Sequence, residues 1–449
     1  MKKVITYGTY DLFHYGHQRL LERAKALGDY LIVGVTSDGF DRIRGKINVQ
    51  QTLMERIEAV KAIGIADEVI VEEYEGQKID DILRYGIDVF AIGSDWEGYF
   101  DYLKDYCQVV YLERTAGVSS TELRSGCGEL RLGVVGDVSL INQVERESCY
   151  VNGLKVVGCY CIPMQKQEHP DDFKTTIQFD TDDYCELLGN VDAVYIISPP
   201  QMHYEQIKMA LTHGKHVLCN SPIALTTNDW HELHDLAKGK ECVLMDAICT
   251  AYSMAYYRML LLVKSGRIGN VVSVDVSYTD FKEVGQVKEG LQKRWALYSY
   301  APNALLPIFQ ILGTEFNHRC VFPYFEEENN SEGFVQIVFV YPKAVSSLKI
   351  GRGIETEEEL VISGTTGYIY VPAPWWKMDY FEIRRKNSAQ NKKYFYQFEG
   401  EGIRYELVAF LKSIRNGNRL CGNIIDDEVS EAFVRVLEAC IKEEDVIFI

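Results

Sequence analysis

The stretch Tyr7-Gly8-Thr9-Tyr10-Asp11-Leu12-Phe13-His14-Tyr15-Gly16-His17 decides how the chain begins to fold. The apolar run from Val4 to Tyr7 predicts a buried strand, and the apolar residues between Leu20 and Leu27 recur at helical spacing. Both histidines therefore lie where a strand is followed by a helix. A helix N-terminus at that place offers backbone N–H groups and a positive dipole end, which together bind anions.

His14 and His17 are predicted to point at one phosphate. Residues three apart share a helix face, and Gly16 between them has no side chain to block a ligand that approaches the backbone. A turn with two solvent-facing histidines is the alternative interpretation. We favour phosphate chemistry because the histidines frame a glycine at a strand–helix junction.

The first 126 residues alternate predicted strands and helices. After the first strand, strands are predicted at 30–36, 68–71, 89–92 and 109–112, with a helix near 53–63. This alternation indicates a parallel sheet with helices on both faces. Ligands of such sheets bind beyond the carboxyl ends of the strands, so polar residues that follow strands are candidate ligand contacts.

Two more segments that follow predicted strands carry groups suited to a triphosphate. Arg44-Gly45-Lys46 follows the second strand, and Arg56 opens the next helix. Arg114-Thr115-Ala116-Gly117-Val118-Ser119-Ser120 follows the last strand and places a guanidinium and hydroxyls before a helix start. Solvated surface charge is the plainer interpretation of each arginine and lysine.

These motifs resemble those of a known family. The opening stretch resembles the HxGH signature of the nucleotidyltransferase superfamily, and the segment from Arg114 resembles its RTxGIST signature, with Val118 for Ile and Ser120 for Thr. The whole first segment is similar to glycerol-3-phosphate cytidylyltransferases. The resemblance implies that a polyol-phosphate oxygen attacks the α-phosphorus of CTP, bound with Mg²⁺, and releases pyrophosphate.

The same resemblance implies the roles of individual residues. The implied catalytic residues are His14, His17, Lys46 and Arg114, with both imidazoles protonated and Lys46 holding the substrate phosphate. Asp11 is a candidate Mg²⁺ contact. The implied nucleotide-binding residues are Gly8, Thr9, Asp11, Gly16, Arg56, Asp95, Trp96, Thr115, Ser119 and Ser120.

The segment Gly93-Ser94-Asp95-Trp96-Glu97-Gly98 resembles the family's segment near the nucleotide. Asp95 can accept a hydrogen bond from a cytosine amino group or a ribose hydroxyl. Trp96 either closes over the substrate or is a packed loop aromatic, and the sequence leaves both interpretations open.

A second strand–helix series follows the linker Ser125-Gly126-Cys127-Gly128, and longer alternating strands follow that series. We expect an α/β protein with a cytidylyltransferase-like domain at 1–126, a Rossmann domain at 127–250 and an α+β antiparallel-sheet domain at 251–449. The predicted strands are 130–135, 155–159, 193–197, 216–219, 242–245, 271–278, 334–341 and 368–371, and the predicted helices are 205–211, 405–414 and 428–441.

This second half resembles the Gfo/Idh/MocA oxidoreductases. The resemblance is carried by the segments 196–203, with Ser198-Pro199-Pro200, 214–222, with Asn220-Ser221-Pro222, and 264–269. It implies a dinucleotide-binding domain followed by a sheet domain. Gly136, Pro199, His203 and Pro222 are the implied cofactor contacts.

The residues that would carry oxidoreductase chemistry differ from the family pattern. Val138 replaces the second glycine of GxGxxG, and Cys161 lies where an acidic residue would take a ribose hydroxyl. Ser221 replaces the family lysine, while Ser299 and Asn303 replace its Asp and His.

Two hypotheses for this half remain open. A degenerate oxidoreductase fold, kept for assembly or ligand sensing, is the one we favour. The other is an NAD(P)-dependent reductase that makes the polyol phosphate, with a tyrosine (Tyr252, Tyr298 or Tyr300) as the missing acid. A scaffold that binds nucleotide without turnover is disfavoured, because both histidines and the Arg114 segment are retained.

The composition narrows the possible partners. The 449 residues carry a net charge of −18, which argues against a nucleic-acid partner. No apolar run approaches the roughly 20 residues of a membrane helix, and Met1-Lys2-Lys3-Val4 lacks a signal-peptide pattern. The 12 cysteines show no zinc spacing, so we expect reduced thiols. We expect a cytoplasmic homo-oligomer that acts on CTP and a small polyol phosphate for cell-envelope polymers, without membrane insertion.

Overall fold

The chain forms two compact units, Met1–Glu129 and Leu130–Ile449. The computed structural model describes residues 1–43, 49, 51–73, 76–113, 129–162, 177, 179–181, 183–280, 295–325, 332–396, 398, 400–415 and 425–447. Within these ranges, no helix is long and apolar enough to cross a membrane.

The first unit is built on a five-stranded parallel sheet in the order β3-β2-β1-β4-β5. Its strands are β1 (Lys3–Gly8), β2 (Tyr30–Thr36), β3 (Glu68–Glu72), β4 (Val89–Gly93) and β5 (Gln108–Leu112), and its helices are α1 (Tyr15–Lys25), α2 (Asp38–Ile43), α3 (Leu53–Ala62) and α4 (Gln77–Tyr85). Apolar clusters lie on both faces of the sheet. The expected fold class and each expected strand of this segment are confirmed.

Local sequence explains where α3 begins. Thr52 and Glu55 form a capping box: the Thr52 hydroxyl accepts from the Glu55 N–H at 3.4 Å, and the Glu55 carboxylate accepts from the Thr52 N–H at 2.7 Å. These two bonds satisfy backbone donors that a helix start leaves without intrahelical partners. The cap fixes the start of the helix that carries Arg56.

The second unit contains a six-stranded parallel sheet in the order β11-β10-β9-β6-β7-β8. Its strands are β6 (Leu130–Gly136), β7 (Leu154–Cys161), β8 (Phe179–Thr181), β9 (Ala193–Ile196), β10 (His216–Asn220) and β11 (Leu244–Ala247). Among the described residues its helices are α5 (Val138–Ser148), α6 (Tyr184–Asn190), α7 (Pro200–Thr212), α8 (Thr227–Gly239), α9 (Cys249–Tyr252) and α10 (Met254–Lys264). The strand order reverses between β6 and β9, as in dinucleotide-binding folds.

An eight-stranded mixed sheet in the order β13-β14-β15-β12-β16-β17-β18-β19 follows in the same unit. The strands are β12 (Val271–Asp280), β13 (His318–Phe325), β14 (Glu332–Val340), β15 (Val345–Arg352), β16 (Leu360–Gly364), β17 (Gly367–Val371), β18 (Tyr380–Arg384) and β19 (Lys392–Phe395). Helices α11 (Trp295–Leu312), α12 (Ile403–Arg415) and α13 (Asp427–Ile441) accompany it. β12 pairs with β15 in parallel and with β16 antiparallel. The expected Rossmann domain and sheet domain are therefore two sheets within one compact unit.

Helix α11 is the main element that the sequence analysis missed. It contains Pro302 and Pro307, which remove backbone donors and normally end a helix. Described apolar side chains of α11, including Leu297, Leu305 and Phe309, are buried in the core of the sheet domain. Burial around the helix explains how it tolerates its prolines.

Candidate functional site

The candidate site of the first unit lies where its strand order reverses. β1 is adjacent to both β2 and β4. After β1 the chain packs Leu21 of α1 into the apolar cluster on one face of the sheet, and after β4 it packs Phe100 into the cluster on the other face. Ligands of doubly wound sheets bind beyond the carboxyl ends of the strands at such a reversal, and we call this place, beyond β1 and β4, the β1–β4 crevice. The loop from Thr9 to His14 and the 3₁₀ turn Ser94–Trp96 follow these two strands.

His14 and His17 lie together at the start of α1. His14 is the N-cap residue, and its Nδ1 accepts a hydrogen bond from the Gly16 N–H at 3.0 Å. The two imidazole rings stack with centroids 3.9 Å apart and planes 19° apart. The Tyr10 and His17 rings meet edge to face, with centroids 5.5 Å apart and planes 71° apart. The structure thus brings the two histidines to one helix N-terminus, as the sequence analysis expected.

The hydrogen bond that His14 accepts at the start of α1 determines which ring nitrogen carries the proton when the imidazole is neutral. Because Nδ1 accepts from the Gly16 N–H, the proton of a neutral ring is on Nε2. A doubly protonated His14 would lose this cap, and a charged ring stacked on a second charged ring would be repelled. In this geometry a neutral His14 has Nε2 as its donor, and protonation of both imidazoles beside bound phosphates stays a prediction.

The loop between β1 and α1 is held in a strained conformation. Tyr10 and Leu12 adopt positive φ angles of 53° and 48°, a region that costs bulky residues free energy. Gln51 holds the loop from outside: its side chain accepts from the Leu12 N–H at 2.7 Å, and its N–H donates to Asp11 Oδ1 at 3.0 Å. A Cβ on Gly8 would lie 3.0 Å from the Tyr10 ring, a tight contact that would require the ring to shift by a few tenths of an ångström.

The buried side chain of Arg56 forms hydrogen bonds that hold the same loop. Its side chain is fully buried, and Nη1 donates to the carbonyl oxygens of Thr9 at 2.7 Å and Thr36 at 2.8 Å. Nη1 also lies 3.3 Å from Asp41, and Nη2 pairs with Asp38. The guanidinium therefore contacts protein acceptors at the ends of β1 and β2. A direct contact with nucleotide stays a prediction for Arg56.

Asp11 and Thr9 also face the protein in this arrangement. Asp11 is 3% exposed and accepts from Gln51, while the Thr9 hydroxyl donates to Asp41 at 2.7 Å. Among the described residues, no group of three or more His, Cys, Asp or Glu side chains forms a metal cage. With the described residues alone, phosphate oxygens would supply most ligands of a Mg²⁺, and the Asp11 contact with the ion stays a prediction.

Trp96 belongs to an aromatic cluster. Its ring centroid lies 5.4 Å from that of Tyr99 and 5.8 Å from that of Phe100, and the Trp96 side chain is partly buried. The structure thus places Trp96 as a packed aromatic, and closure over a substrate stays a prediction. Asp95 lies in the same 3₁₀ turn, but its side chain is outside the described residues. So are Arg44, Lys46, Arg114, Thr115, Ser119 and Ser120.

Lys78, in the first turn of α4, is a buried cation that the sequence analysis missed. It is 7% exposed, forms an ion pair with the fully buried Glu72 at the end of β3, and lies 4.8 Å from the centroid of the Tyr7 ring. A buried charge is costly unless it is paired. The pair with Glu72 therefore stabilises the Lys78 ammonium at its buried position. The sequence signal that could have been used is the apolar run Val69–Val71, because it continues directly into Glu72 and so predicts a buried carboxyl group there.

The second unit does not present a ready dinucleotide site at the turn after β6. A Cβ on Gly136 would lie 2.4 Å from the Ile197 side chain, so packing alone requires glycine there. Asp137 caps α5, and its carboxylate accepts from the Ser139 N–H at 2.9 Å. A carboxylate beside Val138 occupies the helix N-terminus where a pyrophosphate would bind. These residues do not fit the dinucleotide pyrophosphate.

His203 is buried between two loops. Its Nδ1 lies 2.8 Å from the Pro222 carbonyl oxygen and its Nε2 lies 2.7 Å from the Ser198 carbonyl oxygen. Pro199 is the N-cap residue of α7, which carries His203. In this arrangement His203 joins the loops after β9 and β10, and cofactor contact stays a prediction for Gly136, Pro199, His203 and Pro222.

Comparison with known proteins agrees with this division into two halves. Residues 5–126 match a cytidylyltransferase-like family model, and residues 130–247 match the oxidoreductase family with an NAD-binding Rossmann fold. The glycerol-3-phosphate cytidylyltransferase of Bacillus spizizenii is 52% identical over 130 residues, which are 29% of this chain and 100% of that protein.

The second half has more distant relatives. D-xylose 1-dehydrogenase (NADP(+)) of Hypocrea jecorina is 35% identical over 107 residues, 23% of this chain and 27% of that protein. The crystal structure of a 3-ketoreductase from Actinomadura kijaniata in complex with NADP and TDP-benzene has a TM-score of 0.61 at 17% identity, covering 72% of this chain and 100% of that chain. At that identity the likeness concerns the fold alone. The full-length match to the Bacillus spizizenii protein is stronger, and through its first unit the chain belongs to the glycerol-3-phosphate cytidylyltransferase family.

Proposed function

We propose that the first unit transfers CMP from CTP to a small polyol phosphate, glycerol-3-phosphate or a similar molecule, and releases pyrophosphate. The observation that carries the proposal is the stacked pair His14 and His17 at a helix N-terminus beside the β1–β4 crevice. The product is a CDP-polyol, a precursor for cell-envelope polymers.

The reaction needs no protein nucleophile. A phosphate oxygen of the polyol phosphate attacks the α-phosphorus of CTP, and the bond to the pyrophosphate oxygen breaks. Catalysis therefore consists of positioning and charge stabilisation. His14 donates from Nε2 toward the oxygens that gain charge, the N–H groups of α1 add their partial positive charge, and His17 completes the pair.

Three further groups support substrate binding in this proposal. Arg56 holds the loop that carries the histidines, so its effect on turnover is one of position. Lys46 and the Arg114 segment are the proposed contacts of the phosphates. Mg²⁺ bound to CTP would neutralise triphosphate charge, held mainly by phosphate oxygens.

The test is pyrophosphate release by the purified full chain with CTP and a panel of polyol phosphates. We expect turnover with CTP, a much lower rate with ATP, and a clear preference for one polyol phosphate. Equal rates with CTP and ATP would assign a different activated product. A lack of turnover with every polyol phosphate, together with CTP binding, would support the scaffold hypothesis.

We infer that the second unit is a degenerate oxidoreductase domain. The support is Ser221 in place of the family lysine, Val138 at the second glycine position, and the Asp137 carboxylate at the start of α5. We expect weak or absent NADH and NADPH binding by fluorescence titration, and no oxidation of either with ketose or hydroxyketone phosphates. Micromolar affinity for NADH or NADPH, together with substrate-dependent oxidation, would support the alternative, a bifunctional enzyme that makes its own polyol phosphate.

A further inference from the structure

Three consecutive residues, Asn220, Ser221 and Pro222, each contact a buried group that can gain or lose a proton. We call them the 220–222 loop. The loop follows β10 at the carboxyl edge of the six-stranded sheet, where ligands of doubly wound sheets bind. Any change in its hydrogen bonds therefore occurs at the edge where ligands of such sheets bind.

Asn220 is connected to Glu406 through one hydroxyl. The Tyr195 hydroxyl lies 3.3 Å from Asn220 Oδ1 and also contacts Glu406 Oε1. A hydroxyl has one proton to donate. An ionised Glu406 is a stronger acceptor than Asn220 Oδ1, so the Tyr195 hydroxyl donates its hydrogen bond to Glu406. A protonated Glu406 instead donates to the Tyr195 oxygen, so the Tyr195 proton turns to Asn220.

Ser221 is connected to Asp246 in the same way. Its hydroxyl donates to Asp246 Oδ1, and the Ser430 hydroxyl donates to Oδ2 at 2.5 Å. The Trp230 indole N–H donates to the Ser430 oxygen at 3.0 Å. A protonated Asp246 has an O–H of its own to donate, so one of the two serine hydroxyls has to rotate.

Pro222 is the third contact of the loop. Its carbonyl oxygen lies 2.8 Å from His203 Nδ1, while Nε2 faces the Ser198 carbonyl oxygen at 2.7 Å. A neutral imidazole has one N–H, so only one of these contacts is a hydrogen bond until His203 takes a second proton. Burial lowers the pKa of His203, which keeps the ring neutral near neutral pH.

Burial favours the protonated form of Glu406, and two hydrogen-bond donors oppose that effect. Tyr195 on β9 faces Oε1, and the Cys249 thiol on α9 lies 3.3 Å from Oε2. The nearby charges Arg404 and Glu147 pair with each other at 2.7 Å, so they cancel. Glu406 is fully buried, and burial raises the pKa of its carboxyl to about 7.

Asp246 has a similar environment. Ser221 and Ser430 face its oxygens, Tyr252 donates to its backbone carbonyl, and the negative charge of Asp427 acts on it from α13. Burial raises the pKa of the Asp246 carboxyl to about 6, and the two hydroxyl donors oppose that rise. Both carboxyl groups thus change charge near neutral pH.

We propose that the 220–222 loop is a proton-controlled latch, in which proton uptake by Glu406 turns the Tyr195 hydroxyl to Asn220 and proton uptake by Asp246 rotates the hydroxyl of Ser221 or of Ser430. Each step adds one proton from solvent to a carboxylate and reorients hydroxyl hydrogens, with no other bond made or broken. The latch is independent of cytidylyl transfer in the first unit. By linkage, a ligand that binds this edge changes the proton affinity of the two carboxyl groups.

The first test is an infrared titration of the full chain between about pH 5 and pH 8.5. A protonated carboxyl has a C=O band that its ionised form lacks. We expect one such band to disappear with a midpoint near 7 and a second with a midpoint near 6. Glu406→Gln should remove the first band alone and Asp246→Asn the second, whereas the surface variant Glu315→Gln should keep both.

The second test follows the loop itself by NMR in protein labelled with ¹⁵N at asparagine. The side-chain amide signal of Asn220, identified by its loss in Asn220→Ser, should shift with the same midpoint as the Glu406 band. Tyr195→Phe should abolish this shift while keeping the Glu406 band. If Glu406→Gln does not fold, wild-type protein with ¹³C-labelled glutamate assigns the band. Carboxyl groups that are both ionised at pH 5, or an Asn220 shift that persists in Tyr195→Phe, would overturn the proposal.

Discussion

At the scale of single residues, the first unit separates groups that act on a ligand from groups that hold the loop. His14 does both, because it caps α1 through Nδ1 and keeps a proton on Nε2. Arg56 belongs to the second kind, because protein acceptors surround its buried guanidinium. Substitutions can distinguish these roles.

We predict that His14→Ala and His17→Ala lower the rate of pyrophosphate release about 10²- to 10³-fold, the usual loss for one preorganised donor to a transition state. His14→Asn keeps a capping side chain, so its thermal stability should match wild type while its activity matches His14→Ala. The exposed His318, in the second unit, provides the matched control His318→Ala. Turnover above a tenth of wild type in either alanine variant would remove that histidine from the mechanism.

We predict that Arg56→Met destabilises the first unit by about 3 to 5 kcal/mol, because it leaves the buried Asp41 without its cation. Denaturant unfolding monitors the loss. The control Arg19→Met removes an exposed pair with Glu22, and surface pairs contribute at most about 1 kcal/mol. A stable Arg56→Met protein with a raised KM for CTP would instead make Arg56 a direct nucleotide contact.

At the scale of elements, helix α12 places the buried carboxyl group of Glu406 inside the second unit, and this makes the stability of the folded chain depend on pH. The pKa of Glu406 is raised from 4.5 to about 7 in the folded chain. Between these values the folded state binds more protons than the unfolded state, so the free energy of unfolding falls as pH rises. The contribution of Glu406 is complete below pH 4.5 and is lost as pH passes 7.

We therefore predict that wild type loses more stability than Glu406→Gln between about pH 5 and pH 8. A shift of this size corresponds to roughly 3 kcal/mol at most. Unfolding curves of both proteins at several pH values measure the difference in their free energies of unfolding. His203, whose pKa is lowered, makes stability rise with pH, and this contribution cancels in the difference because both proteins contain it. Parallel pH profiles for the two proteins would contradict the assignment of a protonated, buried Glu406.

At the scale of the whole molecule, the two units have separate cores and separate sheets. The Bacillus spizizenii relative corresponds to the first unit along its whole length. We predict that residues 1–129 expressed alone fold and release pyrophosphate at a rate within about threefold of the full chain. Circular dichroism and the pyrophosphate assay check this; an inactive but folded fragment would mean that the second unit contributes to cytidylyl transfer.

We also predict a dimer through the outer face of the eight-stranded sheet. Val340 and Val345 are paired neighbours on that face and are 38% and 42% exposed, and Tyr324 on the adjacent strand is 47% exposed. These exposed apolar side chains alternate on the face with polar ones such as Gln336 and Lys349, and exposed apolar side chains are typical of an interaction surface. Light scattering at micromolar concentration should give a dimer or larger, Val345→Asp should weaken it, and the control Leu83→Asp in α4 should not. A wild-type monomer would refute the prediction.

The sequence by itself determined the two α/β halves and the meeting of His14 and His17, because strand and helix periodicity and residue spacing are local properties. It did not reveal the Nε2 proton of His14, since that depends on an N-cap contact. Tertiary structure alone decided that Arg56 holds a loop, that Lys78 pairs with Glu72, and that α11 tolerates two prolines. It also decided that Glu406 lies beside Tyr195, a contact across 211 residues. Burial and long-range hydrogen bonds depend on how distant segments pack, and no local pattern encodes that packing.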